Sequence, residues 1–283
     1  NCINVDDAVW STTNWTNLDA QSYFSTNCFT QTYVPDDNFE AYLEANGMGN
    51  GVPYDDYVTT ANINTVTFLD VSNASINNLT GIEDFTSLTT LYCNDNFLTS
   101  LNLSNLSLLT DLRCYGNQLT SLDLSFNDDI NVVNCDNNQI TNLNLSQITT
   151  LTYLNCDNNQ LTSLDVSNNA ALNQLICNNN QLTNLVVSNG NNSNFIGFSA
   201  TSNPSLTCIE VDDVAWSTTN WLNIDSQHYF STNCPPPSAI QEHTINKELL
   251  KVTDLLGRET KQTNQPLFYI YDDGTVEKRI VID

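Results

Sequence analysis

Nine cysteines are the residues of this chain with the greatest capacity for chemistry. A row of thiolates could bind a metal ion or carry out redox exchange. A metal site, however, needs ligands that converge on one point, whereas equivalent positions in successive repeats run parallel. We therefore expect no metal, and small, buried, unreactive thiols at the five cysteines that recur at one constant spacing: Cys93, Cys114, Cys135, Cys156 and Cys177.

Other residues that could act in catalysis are few. The two histidines are His228 and His243, and a near-identical segment at the N-terminus carries Ser22 at the position of His228. The sequence has no Gly-x-Ser-x-Gly, His-Glu-x-x-His, phosphate-loop or dinucleotide motif. We therefore expect neither enzyme activity nor a cofactor. Asp136 and Asp157, on neighbouring repeats, raise the alternative of Ca²⁺, although one carboxylate pair supplies few oxygens.

The cysteines belong to a repeated unit with a strict register. One unit runs Leu88-x-x-Leu91-x-Cys93-x-x-Asn96-x-Leu98, and it recurs from Leu109, Ile130, Leu151 and Leu172. With a looser copy before and a degraded copy after, this pattern resembles the leucine-rich-repeat family. The resemblance implies a mainly β solenoid of 21-residue repeats, with a parallel β-sheet on its concave face and short helical caps.

The repeat also has a physical rationale. A unit of this length cannot bury its own apolar face, but stacked units share one continuous core. Alternation along a strand sends Leu91 and Cys93 inward and Tyr92 outward. Stacked amides would satisfy buried backbone groups at the tight bend of each coil, and the residues that supply them are Asn96, Asn117, Asn138, Asn159 and Asn180.

The outward strand positions of such a solenoid form the candidate ligand-binding surface. Arg113 is the single cation of residues 1–246 and falls between Tyr92 and Tyr115. Tyr and Arg are favoured at binding hot spots, although a stabilising stack of the guanidinium on the rings is the alternative. The candidate binding residues are Tyr92, Arg113, Tyr115, Asn134, Asp136, Tyr153, Asn155 and Asp157.

The remaining four cysteines bracket a duplicated segment. Cys2 to Cys28 and Cys208 to Cys234 are identical at 20 of 27 positions. We expect each copy to close its own disulfide, which would contribute roughly 3 kcal/mol by loop entropy and indicate an oxidising compartment. By symmetry the first copy would end an upstream array. The second would cover the last repeat with its aromatic side chains, Trp216, Trp221, Tyr229 and Phe230.

These features divide the chain. Pro35 to Asn46 predicts a short helix in an N-terminal cap, with Asp37 and Glu40 at capping-box spacing. The predicted parts are a C-terminal cap of a missing upstream array (1–28), an N-terminal cap (29–61), the leucine-rich repeats (62–211), a disulfide-closed C-terminal cap (212–234), a linker (235–242) and a C-terminal domain (243–283).

The distribution of charged residues agrees with this division of the chain. The chain has 7 Lys and Arg against 32 Asp and Glu, a net charge of −25. So few cations exclude binding to a nucleic-acid backbone and to anionic lipid through a basic patch. Six of the seven cations lie within residues 247–283, and so sharp a change indicates two modules with different roles.

The C-terminal residues predict strands around a hairpin turn at 272–275. They resemble the C-terminal sorting domain of type IX secretion substrates of Bacteroidota, through Asp254, Gly257, Arg258, Tyr269, Gly274, Lys278 and Arg279. The resemblance implies a small β-sheet or β-sandwich-like domain. It also implies two partners for this domain, the type IX translocon pore and its outer-membrane carrier β-barrel protein.

The two resemblances together predict a secreted, cell-surface protein that passes through the periplasm and outer membrane. The repeats are expected to act as an adhesion or interaction module for an unknown protein or glycan, with gliding motility as one setting. In the alternative interpretation, the chain is a spacer and anchor for an enzyme or lectin domain encoded upstream.

Overall fold

The structure, a computed structural model, describes residues 2–4, 8–17, 23–25, 31–235, 249–253, 266–271 and 276–280. The chain forms two compact units, Asn1–Cys234 and Pro235–Asp283. Within the described residues, no helix is both long enough and apolar enough to cross a bilayer.

The first unit opens with a β-α-β segment. Strand β1 (Cys2–Asn4) pairs in parallel with β2 (Tyr23–Ser25), and α1 (Ala8–Asn14) lies between them in the chain. The predicted Cys2–Cys28 disulfide lies outside the described residues, because Cys28 falls between two described segments.

The next elements precede the repeats. Strands β3 (Gln31–Tyr33) and β4 (Tyr57–Thr59) pair antiparallel. Helix α2 (Asp37–Ala45) lies between them in the chain, and α3 (Thr60–Ile63) follows. Helix α2 confirms the helix predicted within Pro35 to Asn46.

The capping box predicted for that helix is wrong. Asp36, not Asp37, is the N-cap, and its Oδ1 accepts from the N–H groups of the second and third helical residues, both at 3.1 Å. The Glu40 carboxylate is fully buried and hydrogen-bonds to the loop after the helix instead of to the N-cap residue. It accepts from the N–H groups of Asp55 and Asp56 at 3.1 and 3.3 Å, so it ties the following loop to the helix.

The repeats contain nine short strands. In chain order they are β5 (Phe68–Asp70), β6 (Thr90–Tyr92), β7 (Asp111–Arg113), β8 (Val132–Asn134), β9 (Tyr153–Asn155), β10 (Ser163–Asp165), β11 (Gln174–Ile176), β12 (Asn184–Val186) and β13 (Gly197–Ser199). Seven of them form the main parallel sheet, in the order β13-β11-β9-β8-β7-β6-β5. The other two, β10 and β12, pair in a second parallel sheet.

The centre of each strand is buried, as the alternation predicts. Leu91 and Cys93 are completely buried, while Tyr92 between them is partly exposed. The equivalent Leu or Val and Cys of the following repeats are at most 1% exposed. These side chains form one continuous apolar core along the first unit, which confirms the predicted mainly β solenoid.

The duplicated segment ends the first unit. Strand β14 (Cys208–Glu210), α4 (Val214–Asn220) and β15 (Tyr229–Ser231) repeat the arrangement of β1, α1 and β2, with β14 and β15 parallel. The predicted disulfide between Cys208 and Cys234 is confirmed, with the two Cα atoms 5.8 Å apart.

Aromatic rings close the core at this end. Trp221 stacks on Phe198 of β13, with ring centroids 4.1 Å apart, and Phe230 packs against the same indole. Trp216 meets Trp221 edge to face. The expectation that Tyr229 also covers the last repeat is wrong, because Tyr229 points outward from β15 and is 42% exposed.

The described residues of the second unit form three antiparallel strands. These are β16 (Leu249–Thr253), β17 (Pro266–Tyr271) and β18 (Val276–Ile280), with β17 in the middle. They form the small C-terminal sheet that the sequence predicts. Tyr269 lies on β17, and Lys278 and Arg279 lie on β18, whereas the other predicted sorting residues, Asp254, Gly257, Arg258 and Gly274, lie outside the described residues.

Buried Asn amides join each coil of the solenoid to the one before it. Asn138 Nδ2 lies within 3.0–3.3 Å of the carbonyl oxygens of Cys114, Cys135 and Asp136. Its Oδ1 accepts from Leu119 N–H at 2.9 Å. Cys114 and Leu119 belong to the preceding coil, so one amide satisfies backbone groups of two coils at their shared bend.

Replacement of this amide should destabilise the array. In Asn138→Ala the N–H of Leu119 and the carbonyls around the site lose their partner inside the protein. We expect the free energy of unfolding to fall by about 3 kcal/mol, since each unsatisfied buried group costs roughly 1–3 kcal/mol. Urea unfolding followed by circular dichroism measures the change. Gln139→Ala, at the exposed neighbour, is the control, and equal unfolding midpoints for the two variants would contradict this role.

Candidate functional site

The eight predicted binding residues lie along one parallel sheet, and all are partly exposed. In-register pairing of β6 to β9 aligns one row of side chains: Tyr92, Arg113, Asn134 and Asn155. A second row follows two residues after three of these strands: Tyr115, Asp136 and Asp157. Tyr153 begins β9 and pairs with Val132. The structure therefore brings all eight onto one face.

Arg113 is held by its neighbours on this face. Its guanidinium carbon lies 4.3 Å from the centre of the Tyr92 ring, and its Nη2 lies 3.3 Å from Asp111 Oδ2. Tyr92 donates its hydroxyl hydrogen bond to the same carboxylate at 3.0 Å. We call these three side chains the Arg113 cluster. The guanidinium side chain stays 43% exposed, so it is positioned by stacking yet still open to a ligand.

Asp111 is not one of the eight candidate binding residues, although it determines the geometry of the cluster. Burial lowers the pKa of Arg113, but the hydrogen bond and charge of Asp111 outweigh it and the pKa is raised. Burial and the hydrogen bond to Asp111 both raise the pKa of Tyr92. Asp111 and Arg113 are two apart on one strand and therefore share a face, which is the signal that could have identified Asp111.

The two acidic residues considered for Ca²⁺ are already hydrogen-bonded to amides. Asp136 accepts from the side chains of Asn155, at 3.2 Å, and Asn137. Asp157 Oδ1 accepts from Asn158 N–H at 3.0 Å and from Asn179 Nδ2 at 3.2 Å. Burial, assisted by the charge of Asp157, raises the pKa of Asp136. A Ca²⁺ ion at this pair would have to displace these amide donors.

A further acidic cluster lies in the N-terminal part of the repeats' unit. Among the described residues, the carboxylates of Asp37, Glu40 and Asp56 have oxygens within 4.8 Å of one another. Glu40 is already committed to two backbone N–H groups. Glu40 therefore helps to organise the loop after α2.

The five repeated cysteines line up behind the candidate binding face, in the core. All five are free thiols and buried. Burial raises the pKa of Cys93, Cys135 and Cys177 to about 12. Thiolate is the reactive form, so this row has the character of packed hydrophobic side chains. Ala200, also fully buried, occupies the equivalent position after β13.

Comparisons with known proteins identify the fold. No protein-family model and no curated protein sequence matches the chain. Among solved structures, the functional domain of InlJ from Listeria monocytogenes, which includes a cysteine ladder, is 29% identical with a TM-score of 0.52. The alignment covers 66% of this chain and 53% of InlJ.

Two internalins from the same species also match. InlF is 22% identical, with 70% of this chain and 56% of InlF covered and a TM-score of 0.48. Internalin C2 is 23% identical, with 72% of this chain and 99% of internalin C2 covered and a TM-score of 0.44. The chain thus spans about half the length of the InlJ and InlF structures. With the strand order above, it is a leucine-rich-repeat solenoid, and its core carries a row of cysteines.

The buried thiols should make stability fall at alkaline pH. Unfolded cysteine releases its proton near a pKa of about 8.5, whereas Cys135 in the folded chain does so at about 12. Between these values the unfolded state binds fewer protons, so the free energy of unfolding decreases as pH rises, by up to about 1.4 kcal/mol per pH unit for each thiol.

The variant Cys135→Ala should reduce the dependence of the free energy of unfolding on pH by the contribution of one thiol. Alanine is a suitable replacement because Ala200 already occupies the equivalent position after β13. Unfolding titrations at several values between about pH 9 and 11 compare the two chains, in which tyrosine ionisation contributes equally. Parallel stability curves for wild type and Cys135→Ala would show that Cys135 ionises alike in both states.

Proposed function

We propose that the repeats are an interaction module that binds a protein or glycan ligand through the face centred on the Arg113 cluster. The observation that carries this proposal is the exposed guanidinium of Arg113. It is the single cation of residues 1–246, and Asp111 and Tyr92 hold it in one orientation. Preorganised Arg and Tyr side chains lose little entropy when a partner binds.

The fold supports this proposal. A parallel sheet whose strands recur at one constant spacing presents outward side chains in regular rows, which suits an extended binding surface. The solved leucine-rich-repeat neighbours favour a protein-interaction module over an enzyme.

The proposed role of Arg113 in ligand binding can be tested by mutation. Arg113→Ala should weaken ligand binding by about tenfold or more, because truncation of a hot-spot side chain costs more than about 1.4 kcal/mol. Arg113→Lys should fail to restore it, since the fork that contacts Asp111 and stacks on Tyr92 is lost.

Suitable probes are a display library of folded protein domains and an array of neutral and charged glycans. Ligands retained by wild type are measured against each variant by surface plasmon resonance. The matched control is Gln118→Ala, which truncates an exposed side chain off the strands. A selected ligand that binds wild type and Arg113→Ala equally would place its site elsewhere.

We propose further that the second unit directs export through the type IX system and so places the protein at the cell surface. The support is the sequence likeness described above, together with an antiparallel three-stranded sheet in which Tyr269 lies on the central strand. The proposed partners of this unit are the translocon pore and its outer-membrane carrier β-barrel. An exposed edge of such a sheet can pair with a strand of another protein.

Removal of residues 235–283 should abolish export. In a bacterium with a functional type IX system, we expect the full chain at the cell surface and the truncated chain in the periplasm, as measured by fractionation and protease accessibility. Lys278→Ala with Arg279→Ala should reduce surface display, and Lys251→Ala on β16 is the matched charge control. Surface display of the truncated chain would disprove the sorting role.

The alternative function, a spacer and anchor for an upstream enzyme or lectin domain, also has support in the structure. Several side chains of the candidate face bond to one another, as Asn155 does to Asp136 and Tyr92 to Asp111. In a spacer, the polar side chains need only hydrogen-bond to one another, and no ligand is required. The Arg113 variants separate the two functions, because a spacer would tolerate them without any change in binding.

A further inference from the structure

The main sheet ends at β13 with an open edge. Strand β13 pairs with β11 on one side only. The N–H of Cys177 bonds to the Ser199 carbonyl, so Gly197 and Ser199 direct their backbone groups towards β11. Because backbone groups alternate between the two sides of a strand, Phe198 directs its N–H and C=O towards the open side.

The cap does not complete this edge. The segment after α4 approaches β13 with one backbone hydrogen bond, from Ala200 N–H to the Asn223 carbonyl at 2.9 Å. Within residues 31–235, the N–H and C=O of Phe198 have no hydrogen-bond partner. Unpaired groups on a strand edge are a template for another strand.

A cleft of about 430 Å³ occupies the gap between β13 and the cap. Phe195 to Phe198 line one side, and Trp216 with Asn220 to Asn223 line the other. Two aliphatic side chains at the cleft are largely in solvent, Ile196 at 80% and Leu222 at 76% exposure. Both side chains line the same cleft, and exposed apolar surface at a cleft is a feature of interaction sites.

One wall of the cleft also holds an unsatisfied donor. The indole Nε1 of Trp221 is buried and has no acceptor among the described residues, although Trp221 is only 4% exposed. Buried indole N–H groups normally find a partner.

The composition of the cleft selects the class of ligand. None of its nine lining residues is charged, in a chain with 32 acidic residues, so an uncharged ligand fits. A sugar would need exposed ring faces to stack on, but Phe195, Phe198 and Trp221 are each at most 9% exposed, which leaves the partly exposed Trp216 as the one accessible ring of the lining. The cleft also offers an unpaired backbone and two aliphatic side chains, and these complement an extended peptide.

We propose that this cleft binds an uncharged, extended peptide segment, which adds to β13 as a further strand and places an apolar side chain against Ile196 and Leu222. The peptide backbone supplies the acceptor for the Phe198 N–H and the donor for its C=O. This site is distinct from the Arg113 cluster, which lies on β6 and β7, and the inference does not depend on the function proposed there.

The test uses the full chain and a library of blocked, uncharged pentapeptides that carry an apolar residue at alternate positions. Binding is measured by the fluorescence change of the chain, and strand addition by hydrogen exchange of the Phe198 amide, observed by NMR. We expect a subset of peptides to bind and to slow exchange at Phe198. Methylation of the peptide backbone at alternate nitrogens should abolish both effects, since it removes the pairing donors.

Variants of the exposed aliphatics locate the site without disturbing the core. Leu222→Asp should weaken peptide binding by about tenfold or more, because it removes the contact of an apolar side chain and adds a charge to a neutral cleft. Phe126→Asp, at a ring that is 58% exposed on another repeat, is the matched control and should bind as wild type does. Circular dichroism verifies that both variants are folded.

Three outcomes would overturn the proposal. The first is that no peptide of the library slows exchange at Phe198. The second is that binding survives both backbone methylation and Leu222→Asp. The third is that a neutral oligosaccharide such as cellotriose, offered in the same assay, binds at this cleft and the peptides do not.

Discussion

The hydrogen bonds of one buried Asn in each coil are the interaction on which the rest of the structure depends. A leucine-rich repeat turns sharply after each strand, and the turn leaves backbone groups inside the molecule. Asn117, Asn138, Asn159, Asn180 and Asn203 each approach carbonyls of their own and the preceding coil, and each accepts from an N–H of the preceding coil. The same amide therefore shapes the bend and sets the register between neighbouring coils, which in turn aligns the rows of the candidate binding face.

Because this interaction recurs with the repeat, much of the fold could be predicted from the sequence. The strict spacing of the repeats places Leu91 and Cys93 inside and the eight candidate residues on one face, without knowledge of any contact. Where the spacing changes, the prediction fails. Asn203 continues the row of amides, but it follows Asn180 at a longer interval than the earlier members follow one another, so the period alone did not reveal it. The helix cap shows the same limit, since Asp36 and Asp37 differ in backbone conformation and not in residue type.

The contacts between side chains on the candidate binding face could not be predicted from the repeat period either. The sequence places Arg113 between Tyr92 and Tyr115. From the sequence alone, Arg113 could be either a binding hot spot or part of a stabilising stack on the aromatic rings. The structure shows the stack on Tyr92 together with an ion pair to Asp111. These two roles are compatible, because a guanidinium fixed by one carboxylate and one ring keeps further N–H donors for a partner. The carboxylate of Asp111 also offsets the positive charge of Arg113. The face therefore offers a ligand oriented N–H donors and a defined shape rather than a net charge.

The end of the array explains why a second surface exists. From β6 to β11 each strand of the main sheet begins one full repeat after its neighbour, and the central residue of each points inward. The step from Gln174 to Gly197 is longer than that repeat, yet Phe198 still points inward. One segment later, Trp221 is buried and Leu222 is exposed, and the backbone there makes one hydrogen bond to this part of the chain, from Ala200 N–H to the Asn223 carbonyl. Trp221 can still fill the space above Phe198, so the core is closed by stacked rings while the backbone edge beside them stays open.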